Sequence, residues 1–219
     1  MKTKTLILLT LFISIFTFNL RHTKQDYDSY VMAVQWANGY CKANDCGKKA
    51  DNVETNTMTI HGLWPSLKGG KYLNDCTAGV TIPDDGSSFF NDMRKYWPSF
   101  AKTNRNFWEH EYNKHGYCMV EEYGWDDYEE YFEFTINLHL KTYKDLIIKA
   151  FPDYKNKTVT LTYEQVTDAI HKVIPNAIFK MKCEANYITE LDFYLEKDFT
   201  PSPNSRFSGG CESGQLVFK

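Results

Sequence analysis

Histidine, carboxylate and lysine side chains are concentrated in two short stretches of this chain. Residues 59–66 read TIHGLWPS and residues 107–118 read FWEHEYNKHGYC, and together they hold three of the six histidines beside several aromatic rings. Because histidine titrates near neutral pH, two histidines on separate elements can serve as an acid and a base. Lysine and a third histidine can bind an anion, and aromatic rings can stack on a nucleobase. This combination suits cleavage of a phosphodiester bond in RNA.

The spacing of the second stretch argues against a zinc-protease helix. Such a helix carries two histidines four residues apart on one face, whereas His110 and His115 are five apart, about 140° around a helix. Glu111 and His115 are four apart and share a face, and Lys114 lies on the same side. Two alternatives remain open at this point. The second stretch is also compatible with a solvated helix face carrying a Glu–Lys pair, and His61 with a structural or exposed histidine at a strand end.

The elements that must position these residues follow from hydrophobic periodicity and from turn signals. Strands are predicted at residues 30–36, 57–63, 177–184, 187–196 and 215–219, and 177–184 and 187–196 are expected to form a hairpin. Helices are predicted at residues 89–96, from a cap at Asn104 or Asn106 to about His115, at 125–151, and at 162–173 with Thr162 as its cap. Gly116 is expected to stop the second helix, and residues 37–54 and 66–88 are expected to be loops. Helices and strands are segregated along the chain, which indicates the α+β class.

The N-terminus has the pattern of a secretory signal peptide. Lys2 and Lys4 precede an apolar run over residues 5–20, which is short for a membrane span. We expect residues 1–22 to be removed and residues 23–219 to form one domain with no stable membrane association; an uncleaved anchor is the alternative. The predicted destination is the extracellular space or a lysosome-like or vacuolar compartment.

The six cysteines support this route, because an even number in an oxidising compartment predicts three disulfides. Six cysteines allow 15 pairings. The pairs that we favour would close a local loop, tie the loop after the first stretch to the end of the second, and close the C-terminal region: Cys41–Cys46, Cys76–Cys118 and Cys183–Cys211. The cysteines are too scattered for a zinc site of the CxxC type, so we expect no metal and no other cofactor.

The formal net charge is −3. A protein that holds long nucleic acids through a broad positive field would be basic. Any contact with RNA must therefore be local, which favours an enzyme over a packaging protein.

The two stretches resemble the active-site segments of the ribonuclease T2 family of secreted, transferase-type ribonucleases, which have the forms xHGLWP and FWxHEWxKHGxC. Tyr112 stands where the family carries tryptophan, and the other named positions match. The segment from Gln35 to Cys41 is similar to the family's QWPxxYC, with Ala37 in place of proline. The resemblance implies a single ribonuclease T2-like catalytic domain with a central antiparallel sheet, several packed helices and disulfide staples.

The resemblance also implies a reaction on single-stranded RNA. The ribose 2′-oxygen would attack its own phosphate to give a 2′,3′-cyclic phosphate, which is then hydrolysed to a 3′-phosphate without a metal; DNA lacks the 2′-hydroxyl and would not be cut. His115 would take the 2′-hydroxyl proton and His61 would protonate the leaving oxygen. Glu111 and Lys114 would stabilise the phosphorane. The remaining implied roles are phosphate binding by His110 and base stacking by Trp64 and Phe107.

Several further expectations complete the sequence-based interpretation. Ser66 stands where some relatives carry an aspartate that contacts adenine, so no strict adenine preference is expected. Asn156 begins an Asn-Lys-Thr sequon and is a candidate glycosylation site. We expect a monomer. A non-catalytic RNA-binding or signalling relative on the same fold is the alternative function, and a metallohydrolase is a second one, opposed by the histidine spacing.

Overall fold

The structure is a computed structural model. It describes residues 27–47, 53–54, 56–67, 71–72, 76, 79–83, 86–202 and 210–218. The predicted signal peptide, residues 1–22, lies outside these ranges. No helix within them is long and apolar enough to cross a membrane.

Strands from both halves of the chain combine into one mixed sheet, which has seven strands in the described part. The strands are β1 Ser29–Trp36, β2 Met58–Leu67, β3 Lys71–Tyr72, β4 Thr158–Thr162, β5 Phe179–Glu184, β6 Tyr187–Glu196 and β7 Ser213–Val217. Their order is β3-β2-β1-β6-β7-β4, and β5 also pairs with β6. All pairings between these strands are antiparallel except a short parallel contact between β6 and β7. The predicted α+β class with a central, largely antiparallel sheet is confirmed.

Helices fill the connections between these strands. A π-helical turn, Tyr112–Gly116, joins α3 to α4 without a break, and a 3-10 turn, Pro152–Tyr154, precedes β4. The predicted cap at Thr162 is confirmed, because its side chain and that of Gln165 form a reciprocal capping box. The helices are α1 Ala37–Ala43, α2 Ser88–Tyr96, α3 Asn104–Glu111, α4 Tyr117–Tyr123, α5 Tyr128–Thr142, α6 Leu146–Ala150 and α7 Tyr163–His171.

The first strand is buried along its whole length, so each of its faces meets a different layer. Alternate residues from Tyr30 to Trp36 join the large core that contains the helices. Val31 and Ala33 point the other way and pack with Trp64 and Tyr194 in a small second cluster. The face that carries this second cluster is also the face on which the charged residues of the site lie.

Two sequence expectations near the sheet were wrong. Residues 37–43 form α1 rather than a loop, because tertiary packing overrides weak helix propensity; a Cβ at Gly39 would lie 1.9 Å from the carbonyl oxygen of Ile188. Strand β2 continues through Pro65 to Leu67 rather than ending at residue 63. On its outer side, within the described residues, β2 pairs with β3 at Ser66 and Leu67, and a proline at the neighbouring position 65 is tolerated there.

Three further expectations about elements were also wrong. The predicted helix over residues 125–151 is interrupted at Tyr143–Asp145, where the Lys144 carbonyl accepts a hydrogen bond from the Met58 amide at 2.8 Å. Thr103, rather than an asparagine, caps α3. The short edge strand β4 was missed, since most of its side chains are exposed and carry little hydrophobic signal.

The structure contains all three expected disulfides. Cys41–Cys46 closes the segment after α1, and Cys183–Cys211 joins β5 to the segment before β7. Cys76–Cys118 spans 42 positions and attaches Cys76 to the first turn of α4. The second of the two sequence stretches is therefore tied covalently to the chain that follows the first.

Candidate active site

A bulge in β2 places His61. Ala33 of β1 pairs with Gly62 and Val34 pairs with Ile60, so His61 has no opposite residue on β1. Such bulges change the direction of a side chain relative to the pleat. The indole of Trp97 donates a hydrogen bond to the His61 carbonyl at 2.8 Å and holds the bulge in place.

His61 lies on the wall of a cavity of about 670 Å³. Phe107, His110 and Glu111 from the second sequence stretch line the same cavity. The structure therefore brings four of the predicted site residues to one wall. Sequence reasoning did not identify the other polar side chains of the wall, among them Gln35, Ser99, Lys102, Lys182 and Glu190.

The second sequence stretch reaches the site as a helix that changes type. It runs as α3 to Glu111 and then as the π-helical turn to Gly116, which alters the angular spacing of its side chains. Glu111 and His115 are both buried, at 2% and 5% exposure. Lys114 is half-buried and, like His115, is not part of the cavity wall. Glu111 and His115 therefore lie together on a buried side of the helix, as expected, but Lys114 is not buried with them.

Glu111 is the most deeply buried carboxyl of the cavity wall. Its Oε2 accepts a hydrogen bond from the Trp64 indole at 2.8 Å, and its Oε1 lies 3.7 Å from His61 Nε2. Burial raises the pKa of the Glu111 carboxyl, while the His61 cation and the Trp64 hydrogen bond oppose that rise. Gly62 makes room for this contact, because a Cβ there would lie 2.1 Å from Trp64 Nε1 and 2.4 Å from Glu111 Oε2.

The Trp64 ring fills the space between the two histidines of the predicted acid–base pair. It packs edge-on against His61, with centroids 5.1 Å apart, and at a tilt against His115, with centroids 5.4 Å apart. The Lys182 ammonium lies 5.5 Å from the same ring. Trp64 is only 5% exposed, so in this conformation it does not present a face for a nucleobase. Phe107, which is half-buried beside His61, lies on the cavity wall.

The His61 imidazole is bound on its far side by a carboxylate. Its Nδ1 lies 2.6 Å from Glu190 Oε2, and the side chain is 29% exposed. Burial lowers the pKa of the imidazole, but the charge and hydrogen bond of Glu190 and the charge of Glu111 raise it to about 9. His61 is therefore a cation at neutral pH.

His110 differs from His61 in its surroundings. It lies on the exposed rim of the cavity, and partial burial together with the charges of Lys114 and Lys102 lowers its pKa. The two cavity histidines are thus biased towards opposite protonation states. Among the described residues, no group of three or more His, Cys, Asp or Glu side chains is arranged to hold a metal ion.

The sequence matches proteins with known names. The Ribonuclease T2 family model matches residues 27–204. Ribonuclease 1 of Arabidopsis thaliana is 32% identical over 130 residues, which are 57% of this chain and only 55% of that relative. Ribonuclease T2 of Sus scrofa is 27% identical over 211 residues, covering 88% of this chain and 97% of that protein.

The fold matches as well. The structure of an RNase-related protein from Calystegia sepium superimposes with a TM-score of 0.70 at 21% identity, covering 89% of this chain and 98% of that one. The family model spans most of the chain and both sequence stretches. The chain therefore belongs to the ribonuclease T2 family.

Proposed function

We propose that this protein is an endoribonuclease that cleaves single-stranded RNA without a metal ion. The ribose 2′-oxygen attacks the adjacent phosphorus, the bond from phosphorus to the 5′-oxygen breaks, and a 2′,3′-cyclic phosphate forms. His115 takes the proton of the 2′-hydroxyl, and His61 gives a proton to the leaving 5′-oxygen. Water then opens the cyclic phosphate to a 3′-phosphate. DNA is not a substrate, because it has no 2′-hydroxyl.

The observation that carries this proposal is the meeting of the two sequence stretches at Glu111. Trp64 and Glu111, 47 positions apart, share a hydrogen bond, and the same carboxyl faces His61 Nε2. In our proposal the Glu111 carboxyl, fixed by these contacts, stabilises the phosphorane. In our proposal Lys114 adds positive charge as negative charge develops there.

The proposal requires the Trp64 indole to move when RNA binds, since it covers His115 in this conformation. Rotation about the side-chain bonds would release the indole from Glu111 and uncover His115. The freed ring and Phe107 can then stack on the base next to the cleaved bond. We assign the binding of the phosphate to His110, which lies on the open rim of the cavity.

The remaining proposals concern the protein as a whole. We propose that residues 1–22 are a signal peptide and that residues 23–219 act as one secreted or vacuolar catalytic domain, without stable membrane association and as a monomer. Asn156 is exposed in the turn before β4, which suits glycosylation in a eukaryotic secretory pathway.

The test is an assay of the mature protein with RNA and with DNA of the same sequence, each with and without a chelator. We expect cleavage of RNA alone, unaffected by the chelator, with cyclic phosphate ends. His61→Ala and His115→Ala should each reduce the rate by about 10²-fold or more, because each removes one proton-transfer partner. His139→Gln, outside the cavity, is the control for loss of an imidazole.

Other outcomes would refute separate parts of the proposal. Loss of activity with chelator would point to a metallohydrolase. Binding of RNA with no cleavage would point to a non-catalytic relative. If His115→Ala kept more than about a tenth of the wild-type rate, the acid–base assignment would be wrong.

A further inference from the structure

A cluster of three ionisable side chains lies beside His61 and outside both sequence stretches; two are buried carboxyls, and the third, Lys182, is partly exposed. Glu190 binds His61 Nδ1, Lys182 forms an ion pair with Glu190, and Lys182 Nζ lies 2.8 Å from Asp192 Oδ2. The side chains of Glu190 and Asp192 are 6% and 0% exposed. A buried cluster of charges is costly unless its members pair with one another, so its place under a cavity histidine calls for a reason.

The sheet holds these groups in register. Lys182 of β5 is directly opposite Glu190 of β6, and Asp192 follows two residues later on the same face of β6. The neighbouring residues Leu191 and Phe193 point to the main core. The Glu190 carboxylate is therefore fixed by two strands and cannot easily turn away from His61.

The chemistry of this contact defines which nitrogen of His61 reacts. A carboxylate only accepts, so Nδ1–H donates to Glu190 and Nε2 is left towards Glu111 and the cavity. Burial raises the pKa of the Glu190 carboxyl, but the charge and hydrogen bond of His61 and the charge of Lys182 outweigh it and hold the pKa below its usual range. Glu190 is thus an anion that stabilises a proton on His61.

We propose that Glu190, held by Lys182 and Asp192, is a positioning residue that keeps His61 protonated and so makes the enzyme form 2′,3′-cyclic phosphates much faster than it hydrolyses them. This rests on the proposed function. In the cleavage step His61 gives a proton to the 5′-oxygen and must begin as a cation. In the hydrolysis step the roles reverse, and a neutral His61 must take a proton from water. One carboxylate therefore favours the first step and opposes the second.

The groups that face His61 come from three other elements. Glu190 is on β6, Lys182 on β5, and His110 and Glu111 at the end of α3. Lys182 disfavours the His61 cation and the two carboxylates favour it. Replacing Glu190 removes the strongest of the favourable contacts and leaves Glu111 to act alone.

Glu190→Gln is the test variant, because glutamine keeps the shape of glutamate and removes its charge. In the full chain, NMR titration of the His61 imidazole should show a midpoint near pH 9 in the wild type and at least about one unit lower in Glu190→Gln. The pH at which the cleavage rate declines on the alkaline side should become lower by a similar number of pH units. With a mixture of the four nucleoside 2′,3′-cyclic phosphates at pH 6, the ratio of hydrolysis to RNA cleavage should rise about fivefold or more.

Glu196→Gln is the matched control, since it is the same change on the same strand, roughly 20 Å further along β6. It should leave the midpoint, the pH of the alkaline decline and the product ratio unchanged. Glu190→Asp retains the charge and should keep most of the raised midpoint, which a purely structural role of Glu190 would not predict.

The proposal is overturned if His61 titrates near its ordinary value in the wild type, or if Glu190→Gln leaves both the midpoint and the product ratio where they were. The wild-type titration needs no variant and no activity, so it decides the matter even if Glu190→Gln does not fold. A wild-type protein that fails to cleave RNA would refute the proposed function instead, while the titration would still report on the Glu190 contact.

Discussion

At the scale of single residues, the hydrogen bond between Trp64 and Glu111 holds the indole in its place against His115. It joins the two sequence stretches, satisfies one oxygen of a buried carboxyl and places an indole over His115. The same tryptophan was expected from the sequence only to stack on a base. The structure adds a second role, because a buried acceptor that loses its donor is costly.

We expect Trp64→Phe to lower the free energy of unfolding by about 1–3 kcal/mol, since it leaves Glu111 Oε2 without its donor. Combined with Glu111→Gln, the loss should be less than the sum of the two single changes, with a coupling of roughly 1 kcal/mol. Urea unfolding of the four proteins measures this coupling. Trp125→Phe, a half-buried tryptophan without a contact to Glu111, is the control; equal coupling for both tryptophans would contradict the role of the hydrogen bond.

At the scale of elements, the π-helical turn depends on a close approach to α5. The sequence predicted that Gly116 ends a helix, but the helix continues and the glycine faces Tyr131. A Cβ at position 116 would lie 2.6 Å from Tyr131 Cε1. Tyr131 is fully buried and donates a hydrogen bond to the Leu63 carbonyl at 3.0 Å, so it cannot move aside freely.

Gly116→Ala should therefore destabilise the protein by about 1–3 kcal/mol through overpacking. Chemical denaturation of the variant measures the loss. When Tyr131 is already shortened to valine, adding Gly116→Ala should cost clearly less. Additive losses in the two backgrounds would show that the close contact with the ring is not the cause.

The fifth helix carries a histidine that must stay neutral. His139 is fully buried, and its Nε2–H donates to the Met58 carbonyl at 3.0 Å. Its Nδ1 has no hydrogen-bond partner among the described residues. Burial lowers the pKa of His139 to about 3. The unfolded chain therefore binds a proton at this position between about pH 6.5 and pH 3, and the folded chain does not.

Keeping His139 neutral costs no stability above about pH 6.5. As the pH falls from there towards 3, the free energy of unfolding decreases by up to about 1.4 kcal/mol per pH unit. We expect His139→Gln, which keeps an N–H donor, to flatten the loss of unfolding free energy between pH 6 and pH 4. Urea unfolding at several pH values measures it. His171→Gln, at an exposed histidine that also contacts a backbone carbonyl, is the control. An unchanged slope in His139→Gln would mean that His139 is not held neutral.

At the scale of the whole molecule, the Cys76–Cys118 bond ties the second sequence stretch to the chain that follows the first. Cys118 follows His115 by three residues and is continuous with the π-helical turn. In the chain-entropy model, closing a loop of this length restricts the unfolded state. We expect the bond also to limit displacement of His115 relative to His61, and the rate of a reaction in such a site is sensitive to shifts of about 1 Å.

We expect replacement of Cys76 and Cys118 together by serine to lower stability by roughly 2–5 kcal/mol. The rate of RNA cleavage should also fall in the fraction that remains folded. Replacing Cys41 and Cys46 together, which close a loop of five positions, provides the comparison. If cleavage by the folded fraction were unchanged in the first variant, packing alone would hold the site.

The sequence by itself determined the family, the α+β class and four of the residues on the cavity wall, because long local motifs and hydrophobic periodicity are properties of the chain. It also indicated the hairpin of β5 and β6 and the Thr162 cap. Its errors at α1, Gly116 and residues 143–145 arose because contacts with distant segments override local preferences. Helix continuation at Gly116, for example, depends on the ring of Tyr131.

Only the tertiary structure placed Glu190 and Lys182 beside His61, because strand register decides which alternate residues meet across a sheet. The sequence does indicate that these charges could meet, since Glu190 and Asp192 lie two residues apart on one face of a strand and Lys182 lies on its hairpin partner. Nothing in a single sequence states which surface that face covers. The bulge at His61, the burial of His115 under Trp64 and the charge of His61 all arise from long-range packing, and local sequence cannot specify them.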